Sequence, residues 1–271
     1  MYEKYWGLNE PAFSLTPDPR FLYMSHKHED ALLALVHTVT RNKGAGLLAG
    51  EIGHGKTTVS RKLLETLDPV LYRVVLIVNP VLTPIQILQE ILGQLGVQTE
   101  NQSRQGLVQE LHTALASLYE RGQRAVVIVD EAHMVKPTST FEELRLLMNC
   151  QMNDQFLLSL ILIGQNEVFE KLKKVPALMQ RLAVIQTLGA LDSTECGEMI
   201  LHRLRIAGYT GERSPFTPDA IHQIHRSTGG SPRLIAQAAD LLLASAAARN
   251  EMVIDAFLAH QVVEEMPQVA A

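Results

Sequence analysis

Cysteine, long apolar runs and excess positive charge are all scarce in this chain of 271 residues. The two cysteines, Cys150 and Cys196, form no CxxC and have no histidine partner at metal-ligand spacing. That usage fits a reducing cytosol. The ten histidines include no HExxH; His222 and His225 share a helix face at i, i+3 but have no third ligand in the sequence. No stretch approaches the roughly 20 apolar residues that a membrane span requires. The start, Met1-Tyr2-Glu3-Lys4-Tyr5-Trp6, lacks a basic segment followed by an apolar core, so it does not read as a signal peptide. The expectation is a soluble, cytoplasmic protein without membrane insertion, whose contact with any membrane would come through a partner. A net charge of −5 argues against a broad non-specific grip on nucleic acid. It leaves room for a local basic stripe in an oligomer. Internal repeats and low-complexity tracts are lacking too, apart from a frayed Gln-Val-Ala-Ala tail.

With 46% hydrophobic and 20% charged residues, what is present has ordinary globular composition. Residues 1–25 are rich in Pro and aromatics (Trp6, Pro11, Phe13, Pro17, Pro19, Phe21, Tyr23) and read as an ordered arm of turns. After a helical pattern over His28–Arg41, short apolar runs alternate with amphipathic helices. The runs are Ala45–Ala49, Val74–Val78, Ala125–Val129, Leu157–Ile163 and Ala183–Leu188. Strands apolar on both faces and separated by helices predict a parallel, five-stranded sheet covered on both sides, a three-layer α/β domain over 26–190. Beyond about residue 190 the strand signal stops. Four helical patterns follow, the first opened by Asp192-Ser193-Thr194-Glu195, an N-cap with an acid three positions on. They predict a small all-helical lid domain over 191–267.

Gly50-Glu51-Ile52-Gly53-His54-Gly55-Lys56-Thr57 matches GxxxxGK[ST], between a predicted strand and a predicted helix. The glycines let backbone N–H groups turn inward around phosphate oxygens, and the helix N-terminus adds its dipole. In that frame Lys56 neutralises the β- and γ-phosphates and the Thr57 hydroxyl ligates Mg²⁺. Ala125–Val129 ends in Asp130-Glu131. Asp130 is placed to hold Mg²⁺ and Glu131 to act as general base on the attacking water. Phosphate-loop proteins that only bind nucleotide often lack this second acid, so its presence favours turnover. The next residues complete Asp130-Glu131-Ala132-His133, the letters of a helicase motif. Such helicases need a second nucleotide-binding domain of the same type, and residues 190–271 are too few and too helical for one. His133 therefore reads as the next loop residue. Asn79 and Gln165 end strands; each can either reach the catalytic acid or the γ-phosphate, or simply mark a strand end. Arg181 precedes the last strand and Arg233 follows Gly229-Gly230-Ser231-Pro232. By spacing alone both are equally well solvated charges. Arg145 reads as a surface or packing arginine.

Taken together, these motifs resemble AAA+ ATPases of the ExeA/GspA type. The resemblance begins in the arm, Tyr5-Trp6-Gly7-Leu8-Asn9-Glu10-Pro11-Ala12-Phe13 onward to Leu22. It runs through Gly50–Thr58, Ile128–His133, Glu143-Leu144-Arg145-Leu146-Leu147, Leu162-Ile163-Gly164-Gln165 and Gln180-Arg181-Leu182, and closes at Gly230-Ser231-Pro232-Arg233. It implies that Thr58 joins the nucleotide loop and that Asn79 gates Glu131. It likewise makes Gln165 the first sensor, Arg233 the second sensor and Arg181 an arginine finger for a neighbouring subunit. A finger acting in trans implies a homo-oligomer, a ring or spiral of six or more subunits. His54 stands where the family usually has a small hydroxyl residue. Secretion-type members continue into a membrane span and a peptidoglycan-binding region, and this sequence ends at Ala271 with neither. The expectation therefore also takes in stand-alone relatives that accompany transposases, or that sit beside pilus or exopolysaccharide operons.

Two functions follow. One is an oligomeric ATPase, using ATP and Mg²⁺, that assembles or remodels a protein client. The other is an ATP-dependent regulator that binds double-stranded DNA and recruits a transposase. Leu191–Ala271 carries six Lys/Arg against ten Asp/Glu. DNA contacts would then fall to Arg41, Lys43, Arg61, Lys62 or Lys171–Lys174.

Overall fold

A computed structural model describes residues 2–14, 18–152 and 155–264. Leu15, Thr16 and Pro17 of the arm, and the tail from residue 265 onward, lie outside the described residues. Two short β segments and five long apolar ones give strands β1 (Ala45–Gly50), β2 (Tyr72–Ile77), β3 (Arg124–Val129), β4 (Gln151–Met152), β5 (Gln155–Phe156), β6 (Leu158–Gly164) and β7 (Leu182–Leu188). Around them run α1 (Glu3–Trp6), α2 (His26–Thr40), α3 (Lys56–Thr66), α4 (Pro84–Gln94), α5 (Arg104–Glu120), α6 (Thr138–Leu147), α7 (Glu167–Leu172) and α8 (Pro176–Met179). The chain closes with α9 (Ser193–Ile206), α10 (Pro218–Thr228), α11 (Pro232–Arg249) and α12 (Ala256–Glu264). Helix starts follow local chemistry. Thr83 and Gln86 close a capping box ahead of α4, with Pro84 as its first residue. Asp192 and Glu195 do the same for α9.

The chain divides into two compact units. In the α/β unit, Lys27–Ile52 with Val59–Leu188, five parallel strands lie in the order β2-β3-β6-β1-β7. Alternate residues of the inner strands feed two separate cores, as the period of two requires. Leu47, Val127, Val129, Leu160 and Leu162 face the side covered by α4, α5 and α6. Leu48, Val126, Ile128, Ile161 and Ile163 face α2 and α3. The edge strands depart from the expectation of two buried faces: β7 alternates exposed and half-buried positions, and Ile185 is 44% exposed. An edge strand has one covered flank fewer, so its outer apolar residues stay partly wet. The antiparallel β4–β5 hairpin, which has too few residues for a period signal, is a second departure.

The other unit groups Gly53–Thr58 with the described residues of 1–26 and 189–271. Its core is built by α9 to α12 together with the N-terminal arm: Trp6, Leu8, Ala12, Phe13 and Phe21 are buried among Met199, Leu204, Leu242, Leu243 and Ile254. The Trp6 indole Nε1 donates to the Leu243 carbonyl at 3.0 Å, and Asn9 N–H donates to Ala207 O at 2.7 Å. The arm's polar side chains are tied in as well, Tyr2 to Asp240 and Tyr23 to Glu198. Apart from an isolated bridge between Phe216 and Ile254, the C-terminal third is helical, as the pattern predicts.

Candidate active site

In a parallel sheet the carboxyl ends of neighbouring strands open on the same side, which makes that edge the natural place for a ligand. Here β6 lies between β3 and β1, with Val129 opposite Leu162 and Ala49 opposite Gly164. The segments that leave these three strands, Asp130-Glu131, Gly164-Gln165 and Gly50-Glu51, are therefore adjacent. Asn166 bonds the Glu51 carboxylate and pins the start of the glycine-rich loop to the end of β6.

Past β3 the backbone turns sharply. Asp130 N–H donates to Ile77 O at 2.9 Å, and Asp130 Oδ1 accepts the Glu131 N–H at 2.8 Å. Glu131 sits at φ 49°, ψ 38°, a left-handed conformation costing a non-glycine residue about 1–2 kcal/mol. The Glu131 side chain is 46% exposed, but its Oε2 is covered and without a hydrogen bond among the described residues. A 3₁₀ turn, Ala132–Met134, follows directly.

That turn corrects the reading of His133 as merely the next loop residue. Its side chain is only 11% exposed and stands between the two strand ends. Nδ1 accepts the Gln165 backbone N–H at 3.2 Å, Nε2 lies 3.0 Å from the Gln165 side-chain amide, and Nδ1 lies 3.3 Å from Glu131 Oε2. Two features hold the ring there. A Cβ on Gly164 would meet His133 N at 3.1 Å and Nδ1 at 3.5 Å, so glycine lets the turn sit this close and a larger residue would press on it. Lys171, on α7, caps the turn by donating to the His133 carbonyl and, at 2.7 Å, to Val135 O. Burial of its ammonium lowers the Lys171 pKa from the usual lysine range.

The remaining residues of this unit are placed differently. Asn79 lies exposed two positions past β2 and makes no hydrogen bond to Glu131 among the described residues. Arg145 pairs with Glu142 on its own helix at 2.7 Å. Arg181 is half-buried between α8 and β7, at the amino end of that strand. Since Gly50 is opposite Leu188 at the carboxyl end, the seven residues of β7 separate Arg181 from the start of the loop, a span of about 20 Å at ~3.3 Å per residue. Its Nη1 is covered and without a hydrogen bond among the described residues.

In the second unit, Gly53 and Gly55 carry the loop through φ 82° and 88° before Lys56 opens α3. Side chains other than glycine are strained there. Lys56 is buried and Thr57 exposed. A Cβ on Gly53 would meet Ser231 Oγ at 2.9 Å and Arg233 Cβ at 3.0 Å, so the cap and first turn of α11 lie directly against the loop. Sequence reasoning did not single out Asn166, set His133 aside as a loop residue and weighed Lys171 only as a DNA contact. The signal for His133 was visible, an imidazole four residues past a strand end and a Gly-Gln pair after another. Linking the two required the strand order.

A family model described as an AAA domain matches residues 39–172. General secretion pathway protein A of Aeromonas hydrophila is 37% identical over 253 residues, 92% of this chain. The chain spans about half, 46%, of that relative's length. Among solved structures, the ORC2 protein of Aeropyrum pernix is similar at TM-score 0.68 and 16% identity, over 97% of this chain and 73% of that one. The RuvB Holliday junction branch migration motor of Thermotoga maritima matches at TM-score 0.58 and 19% identity, over 90% of this chain and 70% of that one. These two likenesses concern the fold.

Proposed function

Because the chain belongs to the AAA+ ATPases of the ExeA/GspA type, we propose that it is an oligomeric ATPase that binds and hydrolyses ATP to assemble or remodel a protein complex. The observation that carries this reading is the shared edge of β3, β6 and β1, where Asp130-Glu131, Gln165 and the start of the Gly50–Thr58 loop come together. The kinship to a secretion-pathway protein favours a protein client over a DNA target.

In this reading the loop's N–H groups and Lys56 hold the β- and γ-phosphates, with Glu51, Ile52, His54 and Thr58 completing the loop. Arg233 joins them from α11. The described residues contain no cluster of three or more His, Cys, Asp or Glu suited to a metal ion. Magnesium does not need one, because it takes one or two protein oxygens and fills its remaining positions with phosphate oxygens and water. Thr57 and Asp130 are oxygen donors of that kind, and magnesium bound there would offset charge on the phosphates. Glu131 takes a proton from the attacking water, and Gln165 steadies the γ-phosphate. Asn79 would reach Glu131 only after a change in the segment beyond β2. Arg181, at the far end of β7 from its own loop, completes a neighbour's site rather than its own.

The test separates binding from turnover. Lys56→Ala is expected to lose nucleotide binding by calorimetry. Glu131→Gln should keep ATP affinity within about twofold yet lose hydrolysis by about 10²-fold or more. Full ATP affinity in Lys56→Ala, or normal turnover in Glu131→Gln, would overturn the assignment.

A further inference from the structure

The contact between His133 and Gln165 contains a contradiction that only one arrangement of protons resolves. His133 Nδ1 accepts the Gln165 backbone N–H at 3.2 Å, so it carries no proton and the neutral ring is protonated at Nε2. Yet Nε2 stands 3.0 Å from a nitrogen of the Gln165 amide, which would set donor against donor. Turning that amide by 180° removes the conflict. Its oxygen then accepts from Nε2–H, and its NH2 faces away from the ring.

We propose that His133 is a positioning residue that fixes the Gln165 amide with its oxygen on the imidazole and its NH2 outward, as a donor for an anion. This rests on the role proposed above for Gln165 and adds what sets that residue's polarity. A freely rotating glutamine presents its oxygen to a phosphate as readily as its nitrogen, and only the nitrogen is attractive. With its Nδ1 lone pair taken by the Gln165 N–H, the ring has no proton to give Glu131 Oε2, 3.3 Å away. The opposite tautomer would bond Glu131, release the Gln165 backbone and reverse the amide. One backbone N–H just past β6 thus sets the polarity of the sensor. Gly164 and Lys171 hold the ring where it can be set.

The first experiment uses the nucleotide-free protein. Long-range ¹⁵N–¹H spectra of the histidine side chains, with His133 assigned from the signal missing in His133→Leu, should show Nδ1 bare and Nε2 protonated. A proton on Nδ1 overturns the proposal. The second is a double-mutant cycle in ATP turnover. His133→Leu should lower kcat by about tenfold or more while leaving ATP affinity unchanged, in the manner of residues that orient a functional side chain. His133→Gln keeps a donor near the Nε2 position and should recover most of that loss. The His133→Leu/Gln165→Ala double variant should be little slower than Gln165→Ala alone, because His133 acts through Gln165. Multiplying losses, or an ATP affinity that falls as far as kcat, would mean that the ring only supports the fold. If Gln165→Ala itself turns over normally, the role of Gln165 fails and this proposal with it. A slow Gln165→Ala beside an unimpaired His133→Leu overturns this proposal alone.

Discussion

Replacing Trp6 by alanine is expected to remove a large part of the stability of the helical unit. The indole is 4% exposed, lies among the side chains of α9 to α12, stacks edge-on against Tyr5 at 5.1 Å and donates to the Leu243 carbonyl. A buried aromatic side chain of this size removes roughly 150–250 Å² from water, or about 4–6 kcal/mol at 25 cal/mol/Å². A compact denatured chain lowers that by ~10–40%. The hydrogen bond adds about 1 kcal/mol. The expected loss is about 4 kcal/mol, within the range of ~3–5 kcal/mol found for such truncations and a large part of a typical stability of ~5–15 kcal/mol. Trp6→Phe keeps most of the apolar area and loses the N–H, so it should cost only about 1 kcal/mol. Urea unfolding followed by far-ultraviolet circular dichroism measures both, since the chain has a single tryptophan and the variants have none. The site should feel the change as well. Leu243 lies on α11, whose first turn carries Arg233, so weakened ATP binding should accompany the loss in Trp6→Ala. A cost below about 1 kcal/mol for Trp6→Ala would refute the reasoning, because the arm would then be an ornament and not part of the core.

Arg181→Ala should slow ATP turnover by about 10³-fold or more and regain part of it when mixed with Glu131→Gln subunits, because sites with both residues intact re-form at mixed interfaces. Absence of rescue in the mixing assay would argue that Arg181 does not act in trans. Cys196 is fully buried and burial pushes its thiol up to about 12; Cys150 is raised for the same reason. A disulfide reagent at about pH 8 should therefore titrate neither thiol in the folded protein and both in urea, and rapid native labelling would contradict the burial.

The local sequence carried much of the architecture, because strands buried on both faces and capped helices are written in consecutive residues. The apolar runs mark the five central strands to within two residues at their ends, and Asp192-Ser193-Thr194-Glu195 marks the cap of α9. Gly50–Thr57 and Asp130-Glu131, the candidate nucleotide site, stand out in the sequence for the same reason: phosphate loops and strand-end acids are contiguous motifs whose chemistry needs fixed spacing. The short β4–β5 hairpin and the exposed outer face of β7 were not legible, since two-residue strands have no period and edge position is a property of the whole sheet.

What the sequence by itself determined, then, is the run of strands and capped helices, with a glycine-rich loop after one strand and an acidic pair after another. Tertiary structure alone decided who their neighbours are. Strand order placed β6 between β3 and β1, and so seated His133 against Gln165, 32 positions away. It also took an N-terminal arm that reads as a run of turns and buried Trp6 beneath Leu243, 237 positions on. Side-chain periodicity reports which face of an element is covered. It does not report which distant element covers it, because that choice is made by packing and backbone hydrogen bonds across the whole chain.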